Sequence, residues 1–451
     1  MTETYEKPYL RKLETGLMNK FGSRYRQPVT ADVDGVTIAD LVDAHGSPLF
    51  VFSEKKLRES YREIHTAFAS RYPNIQFSWS YKTNYLDAIC AILHDEGESA
   101  EVVSPFEYEK ARRLGVPGDR IIFNGPLKPV PALERAAREG AAIHVDHFEE
   151  IFDLEEVAAK LGRKLPIGLR LNMDTGIAPL WSRFGFNLES GEALDAVRRI
   201  RSGGRLILDG LHCHIGTYIM EPSAYAVEVE KMVGFARRVE EECGFDVEYF
   251  DLGGGLPSRA RLKGVYLPPE VALPSVDDYA EAICDSLLKH LKPGRFPKVI
   301  LETGRAVVDE AGSLVSTVHA VKRLPDGKKG YVIDAGLNVL FTSFWYRHRI
   351  ALEREIAGSF EDCVIYGPMC MNIDVIEEKA RLPALPRGMR LVISPVGAYN
   401  NTQWMQFISY RPAVVLVGEK GEVDVIRAAE TLDDVTGPER LPDRLKPDRA
   451  D

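Results

Sequence analysis

What this chain of 451 residues lacks narrows its class before any motif is read. It has few cysteines: Cys90, Cys213, Cys243, Cys284, Cys363 and Cys370, scattered and with no Cys-x-x-Cys pair. That excludes a disulfide scaffold, fits reduced thiols in a cytosolic protein and argues against a structural zinc site. It has no long basic run. Its 57 Lys plus Arg stand against 67 Asp plus Glu, a formal net charge of −10, which suits neither nucleic acid nor an anionic membrane as partner. No stretch reaches the roughly 18 apolar residues of a membrane helix. The N-terminal Met1-Thr2-Glu3-Thr4-Tyr5-Glu6-Lys7 has no basic segment ahead of an apolar core, so no signal peptide is read and a cytoplasmic location is expected. What is present, 45% apolar and 27% charged residues, is ordinary globular composition. The length predicts two or three domains, or one large barrel plus a smaller domain.

Short apolar segments alternate with amphipathic ones. Strands are predicted at 77–81, 99–103, 121–124, 142–145, 167–172, 208–213, 247–252 and 298–302, with helices at 84–95, 106–114, 130–139, 147–161, 190–203, 222–243 and 275–291. Near-continuous apolar strands belong to a sheet covered on both faces. Eight strand–helix units match an α/β fold of the (β/α)8, TIM-type barrel class, with a doubly wound open sheet as the alternative. After residue 305 strand-like segments crowd together (313–322, 329–334, 363–366, 389–395, 412–417, 422–427), as in a second, mostly β domain. The expected division is a barrel over 48–310, in which 48–52 (PLFVF) is the first strand. The β domain comprises 1–47 plus 311–435, and 436–451 is a flexible tail.

Barrel enzymes carry their chemistry at the C-terminal ends of strands. Here those ends read Tyr81-Lys82-Thr83-Asn84, His212-Cys213-His214-Ile215-Gly216-Thr217, Asp251-Leu252-Gly253-Gly254-Gly255 and Glu302-Thr303-Gly304-Arg305. Lys82 is either a Schiff-base lysine or a lysine at a surface turn. His212 and His214 share a strand face. A metal pair there lacks a third ligand of convincing spacing; a ring stacked on a flat cofactor, beside a core histidine at 212, is the other reading. The glycine run is a phosphate cradle or a flexible loop. Glu302 and Arg305 face one pocket or form a surface ion pair. Together the four ends suit pyridoxal phosphate, which has an aldehyde to capture, a phosphate to hold, a planar ring and a ring nitrogen.

On these residues the chain resembles the fold-type III pyridoxal-phosphate decarboxylases, the family of diaminopimelate and ornithine decarboxylases, with alanine racemase a more distant relative. The four strand-end segments match that family's motifs, with Thr303 in place of a proline. So do Gly367-Pro368-Met369-Cys370 with Asp374, and Gly397-Ala398-Tyr399. Glu101 to Ser104 and Arg170 also align in order, and the match spans about 48 to 418. The resemblance implies a barrel plus a β domain, as in alanine racemase, and pyridoxal 5'-phosphate held covalently by Lys82. His214 would stack on the ring. Gly254, Gly255, Gly304, Arg305 and Tyr399 would hold the phosphate, Glu302 would face the pyridine nitrogen, and Thr217 and Arg170 would support. It also implies a homodimer whose Cys370 segment enters the neighbouring subunit's site, through an interface of over roughly 2,000 Å².

Charge then argues for the reaction. An anionic Glu302 favours a protonated ring nitrogen and therefore an electron sink deep enough for loss of CO2; an arginine there would favour racemase chemistry. Cys370 is the candidate acid for the α-carbon, or else a buried structural thiol. Family decarboxylases of diamino acids usually carry an acid directly after the cysteine, where this chain has Met371. Arg347 and Arg349 would suit a distal carboxylate if they reach the pocket, and are otherwise a solvated basic loop. Asp374, Arg347, Arg349 and Met371 are thus the candidate substrate contacts, and no metal is expected. The expected function is decarboxylation of an amino acid or amino-acid conjugate, in specialised or siderophore-like biosynthesis. Its rivals are an amino-acid racemase, a non-catalytic binding homologue and a metalloenzyme built on His212 and His214.

Overall fold

The computed structural model describes residues 28–446, apart from 266 and 268. Strand β1 (Leu49–Ser53) is buried at every position, and the Ser53 hydroxyl accepts the Lys56 N–H to cap helix α1 (Glu54–Ala69). Eight strands follow: β2 (Ile75–Ser80), β3 (Ser99–Val102), β4 (Ile121–Phe123), β5 (Ala142–Val145), β6 (Leu165–Asn172), β7 (Leu206–Cys213), β8 (Tyr249–Asp251) and β9 (Lys298–Thr303). Each runs parallel to the next, and β9 pairs back onto β2, closing the barrel. All eight are the strands the alternation predicts, within two residues at either end. Helices α2 (Asp87–Asp95), α3 (Pro105–Arg113), α4 (Val130–Glu139), α5 (Phe148–Leu161), α6 (Glu192–Gly203), α7 (Ser223–Cys243) and α8 (Val276–His290) fill the crossovers. The unforeseen α1 completes the outer ring beside α8, burying Leu57, Tyr61, Ile64 and Phe68 on one face.

Two strand glycines make room inside the barrel. A Cβ at Gly210 would sit 1.9 Å from the Tyr249 ring, and one at Gly168 2.6 Å from the Tyr249 hydroxyl. Tyr249 fills the space both leave, with its hydroxyl 3.1 Å from His144 Nε2.

The second domain is built from β10 (Gly312–Arg323), β11 (Lys329–Ile333), β12 (Arg349–Leu352), β13 (Glu361–Tyr366), β14 (Val375–Leu382), β15 (Arg390–Ser394), β16 (Ala413–Val417) and β17 (Val423–Arg427). Strands β12 and β14 were not foreseen; β14 carries Glu377, Glu378, Lys379 and Arg381, which mask its apolar alternation. The expectation that 48–52 opens the barrel is corrected. β1 pairs antiparallel with β10 and parallel with β16, at the centre of the second domain's sheet. A strand buried on both faces suits either sheet equally, so its composition cannot choose between them. Of the segment 1–47, residues 1–27 lie outside the described residues, and Pro28 joins the β domain through its carbonyl, which accepts the Leu352 N–H. Of the expected tail, 447–451 lie outside the described residues.

Candidate active site

The turn after β2 is fastened to the second domain. Asn84 Nδ2 donates to Gly397 O at 3.0 Å, and Tyr399 N donates to Thr83 O at 2.8 Å. These bonds bring Tyr399 to the barrel mouth and hold the Lys82 turn in place. Lys82, Arg170, His214, Thr217, Glu302, Arg305 and Tyr399 then line one cavity of about 690 Å³. A deeper recess of about 40 Å³ opens among Gly253, Gly254, Gly255, Gly304, Arg305 and Tyr399. Its size is that of about three water molecules, room for a small anion.

On the cavity floor Lys82 Nζ donates to Glu101 Oε2 and lies 3.8 Å from Glu302 Oε2. Burial pulls the amine's pKa down, but Glu101 and Glu302 outweigh it and hold it raised. The Glu101 carboxyl is itself raised, by burial first and by Glu302 second. Glu302 Oε1 accepts from Asn124 Nδ2 and lies 3.3 Å from His212 Nε2. Nothing in the sequence reading singled out Asn124, although it stands directly after β4, where the strand-end rule would have found it.

His214 Nδ1 accepts the Gly254 N–H at 3.1 Å, which places the ring proton on Nε2. Burial drives its pKa down to about 3, so the ring is neutral. Trp181 meets it edge-on at 5.4 Å. Gly254 therefore commits its N–H to orienting His214. Gly255 has φ +99° and approaches Gly216 so closely that a Cβ would lie 2.3 Å from its carbonyl oxygen. Arg305 lies within 4.7 Å of the Tyr399 ring and 4.9 Å of Tyr346. His212 faces inward: its ring packs 4.7 Å from that of His144, and one ligand atom each of His144, His212 and Asp251 lies within 4.8 Å of the others. The sequence reading paired His212 with His214 and overlooked His144, which the barrel brings beside it.

Three expected substrate contacts stand outside the Lys82 cavity of their own chain. Asp374 is buried, with Oδ1 accepting the Leu337 N–H and Oδ2 the Met369 N–H, both at 2.8 Å. It shapes its own loop. Arg347 pairs with Glu377 at 2.9 Å, and Arg349 reaches toward Ser394; both line a separate cleft of about 450 Å³. Pairing across the antiparallel strands turns them away, while their neighbour Tyr346 faces the cavity. Met371 packs against the core, and Cys370 is exposed; neither lines the Lys82 cavity of its own chain.

The arrangement fits pyridoxal 5'-phosphate. A lysine sits between carboxylates, the guanidinium at the small recess has a buried Nη1 without a hydrogen-bond partner among the described residues, and Thr83 Oγ1 beside it is equally unpartnered.

Comparison with known proteins agrees. The pyridoxal binding domain of the pyridoxal-dependent decarboxylases matches residues 55–309, and the C-terminal sheet domain of the same group matches 305–397. A diaminopimelate decarboxylase of Methanothermobacter thermautotrophicus is 32% identical over 92% of this chain and 96% of its own. One from Aquifex aeolicus is 31% identical over 90% and 94%. The crystal structure of diaminopimelate decarboxylase from M. jannaschii superposes with a TM-score of 0.84 at 29% identity, covering 92% of this chain and 97% of that one. With eight-stranded barrel, sheet domain, lysine floor and near-full-length likeness in agreement, this chain belongs to the fold-type III pyridoxal-dependent decarboxylases and is a pyridoxal-phosphate-dependent amino-acid decarboxylase.

Proposed function

We propose that this decarboxylase works as a cytoplasmic homodimer with shared sites, acting on an amino acid or conjugate in specialised, siderophore-like biosynthesis. The observation that carries the site assignment is Lys82 held between Glu101 and Glu302 at the end of β2. Pyridoxal 5'-phosphate, when bound, supplies an aldehyde for amine capture and a ring that accepts the electron pair left as CO2 departs. Every other task falls to the chain.

Lys82 is the attachment amine and must first lose its proton. Glu101, raised by burial and hydrogen-bonded to Nζ, takes it. Glu302, which accepts a hydrogen bond from Asn124, would face the ring nitrogen and favour its protonated form, which supports decarboxylation over the racemase alternative. The neutral His214 ring forms a flat wall. Arg305, Gly255 and the Tyr399 hydroxyl surround the phosphate recess, with Gly304 and Thr217 at its edge. Arg170 closes the side wall through Asp146 at 3.4 Å. The proton for the α-carbon comes from Cys370 Sγ of a second copy. The exposed thiol on the 367–374 loop, absent from its own cavity, supports that exchange. Met371, in place of an acid, supports a substrate other than a plain diamino acid.

Holoenzyme should show a visible absorbance band that borohydride removes and that Lys82→Ala lacks. It should release CO2 without racemising its substrate. Lys82→Ala and Cys370→Ala, each inactive alone, should regain activity when mixed; no recovery would refute the shared site.

A further inference from the structure

Three buried groups inside the barrel are left unused by the chemistry at the cavity floor. His144 comes from β5, His212 from β7 and Asp251 from β8. None is more than 1% exposed. β7 pairs directly with β8, and β6 alone separates it from β5, so side chains pointing inward from these strands converge. One ligand atom of each group lies within 4.8 Å of the other two, and His144 Nδ1 stands 3.7 Å from Asp251 Oδ2. No other trio of His, Cys, Asp or Glu among the described residues meets so closely. His214 is not part of it, because its Nδ1 is taken by the Gly254 N–H.

Two of the groups are anchored at one atom and unpartnered at the other. His144 Nε2 lies 3.1 Å from the Tyr249 hydroxyl, the contact for which Gly168 and Gly210 make room. Asp251 Oδ1 accepts the Gly253 N–H at 2.9 Å. His144 Nδ1 and Asp251 Oδ2 then have no hydrogen-bond partner among the described residues, and neither does either ring nitrogen of His212. Roughly nine buried polar atoms in ten are paired, so orphans gathered at one point call for a ligand.

The donors specify its chemistry. Burial pulls both imidazoles well below their usual pKa, so each ring is neutral and carries a lone pair. Burial first, and then Glu302, hold the Asp251 carboxyl well above its usual range. The neighbouring cations do not relieve it: Lys128 is paired with Glu150 at 2.9 Å and Arg170 with Asp146 at 3.4 Å. A divalent cation accepts the lone pairs and supplies the missing positive charge. Around zinc, ligands at about 2.0–2.2 Å stand about 3.3–3.6 Å apart in a tetrahedron, close to the separation of His144 Nδ1 and Asp251 Oδ2. A metal-bound histidine also gives its second ring nitrogen to an oxygen, as His144 does to Tyr249. Imidazole donors favour zinc and its transition-metal neighbours over magnesium or calcium.

We propose that His144, His212 and Asp251 bind one divalent ion of the zinc class inside the barrel, where it ties β5, β7 and β8 together beneath the floor. Of the three ligands only His212 lines the cavity, so the ion is set back from the substrate and its role is structural.

The test uses untagged holoenzyme from cultures supplied with zinc or with cobalt, dialysed against a chelator and analysed by plasma mass spectrometry. Wild type should keep about one ion per chain and release it only when unfolded in guanidinium. Asp251→Asn and His144→Asn should each lower the retained metal about tenfold or more. Two readouts on wild type stand whether or not a variant folds. Crystals of the zinc form should show an anomalous peak among the three side chains. The cobalt form should keep d–d absorbance after borohydride has removed the cofactor band. Wild type holding less than about a tenth of an ion per chain from both cultures overturns the inference. So does an anomalous peak elsewhere, or full retention of metal by both variants.

Discussion

On the floor of the cavity the main charged and ring groups are tied to neighbours: Lys82 to Glu101, Glu302 to Asn124, and His214 to the Gly254 backbone. At the mouth, Arg183 lies exposed among aromatic rings with no carboxylate among the described residues to hold it. The floor is buried, and a buried charge without a partner costs several kcal/mol, so its residues constrain one another. The mouth of the single chain is open, and an unpaired guanidinium there costs little.

The comparison breaks most visibly at Lys82. Lys82→Ala should lower CO2 release by about 10⁴-fold or more while far-UV circular dichroism stays that of the wild type. Appreciable residual turnover would move the chemistry off the floor. Glu302→Gln, which leaves the Asn124 contact in place but removes the charge, should cost about 10²–10³ in kcat with cofactor still bound. Gly255→Ala would force an alanine to φ +99° against the Gly216 carbonyl, and urea unfolding should report about 1–3 kcal/mol of lost stability.

A titration sharpens the contrast at lower cost. His348 is buried, with Nδ1 donating to Pro395 O at 2.9 Å; burial, opposed by that carbonyl, pushes its pKa down from 6.5 to about 4. Between those values the unfolded chain binds a proton that the folded chain refuses. Stability therefore falls as pH drops from 6.5 toward 4, by up to about 1.4 kcal/mol per pH unit, and His348→Gln should flatten that slope in thermal melts. The smallest effect belongs to Arg347→Ala. It breaks a partly exposed pair with Glu377 outside the cavity, and should change stability by about 1 kcal/mol or less and kcat/KM not at all.

The sequence by itself determined the barrel rhythm, the strand ends and therefore the floor. A strand-end residue is placed by local periodicity, and Lys82, His214, Glu302 and Arg305 needed only that rule to be found. The motif letters of the second domain were equally legible, yet their roles were not. Asp374 reads as a ligand until its carboxylate is seen bonded to the Leu337 and Met369 amides, and Arg347 until strand pairing turns it to Glu377. Only the tertiary structure decided that β1 belongs to the sheet domain, that His144 meets His212, and that Arg183 and Trp181 close the mouth from one side while Tyr346 closes it from the other. Each of these depends on segments far apart in the chain meeting in space, and a pattern that repeats every two or four residues carries no information about such meetings.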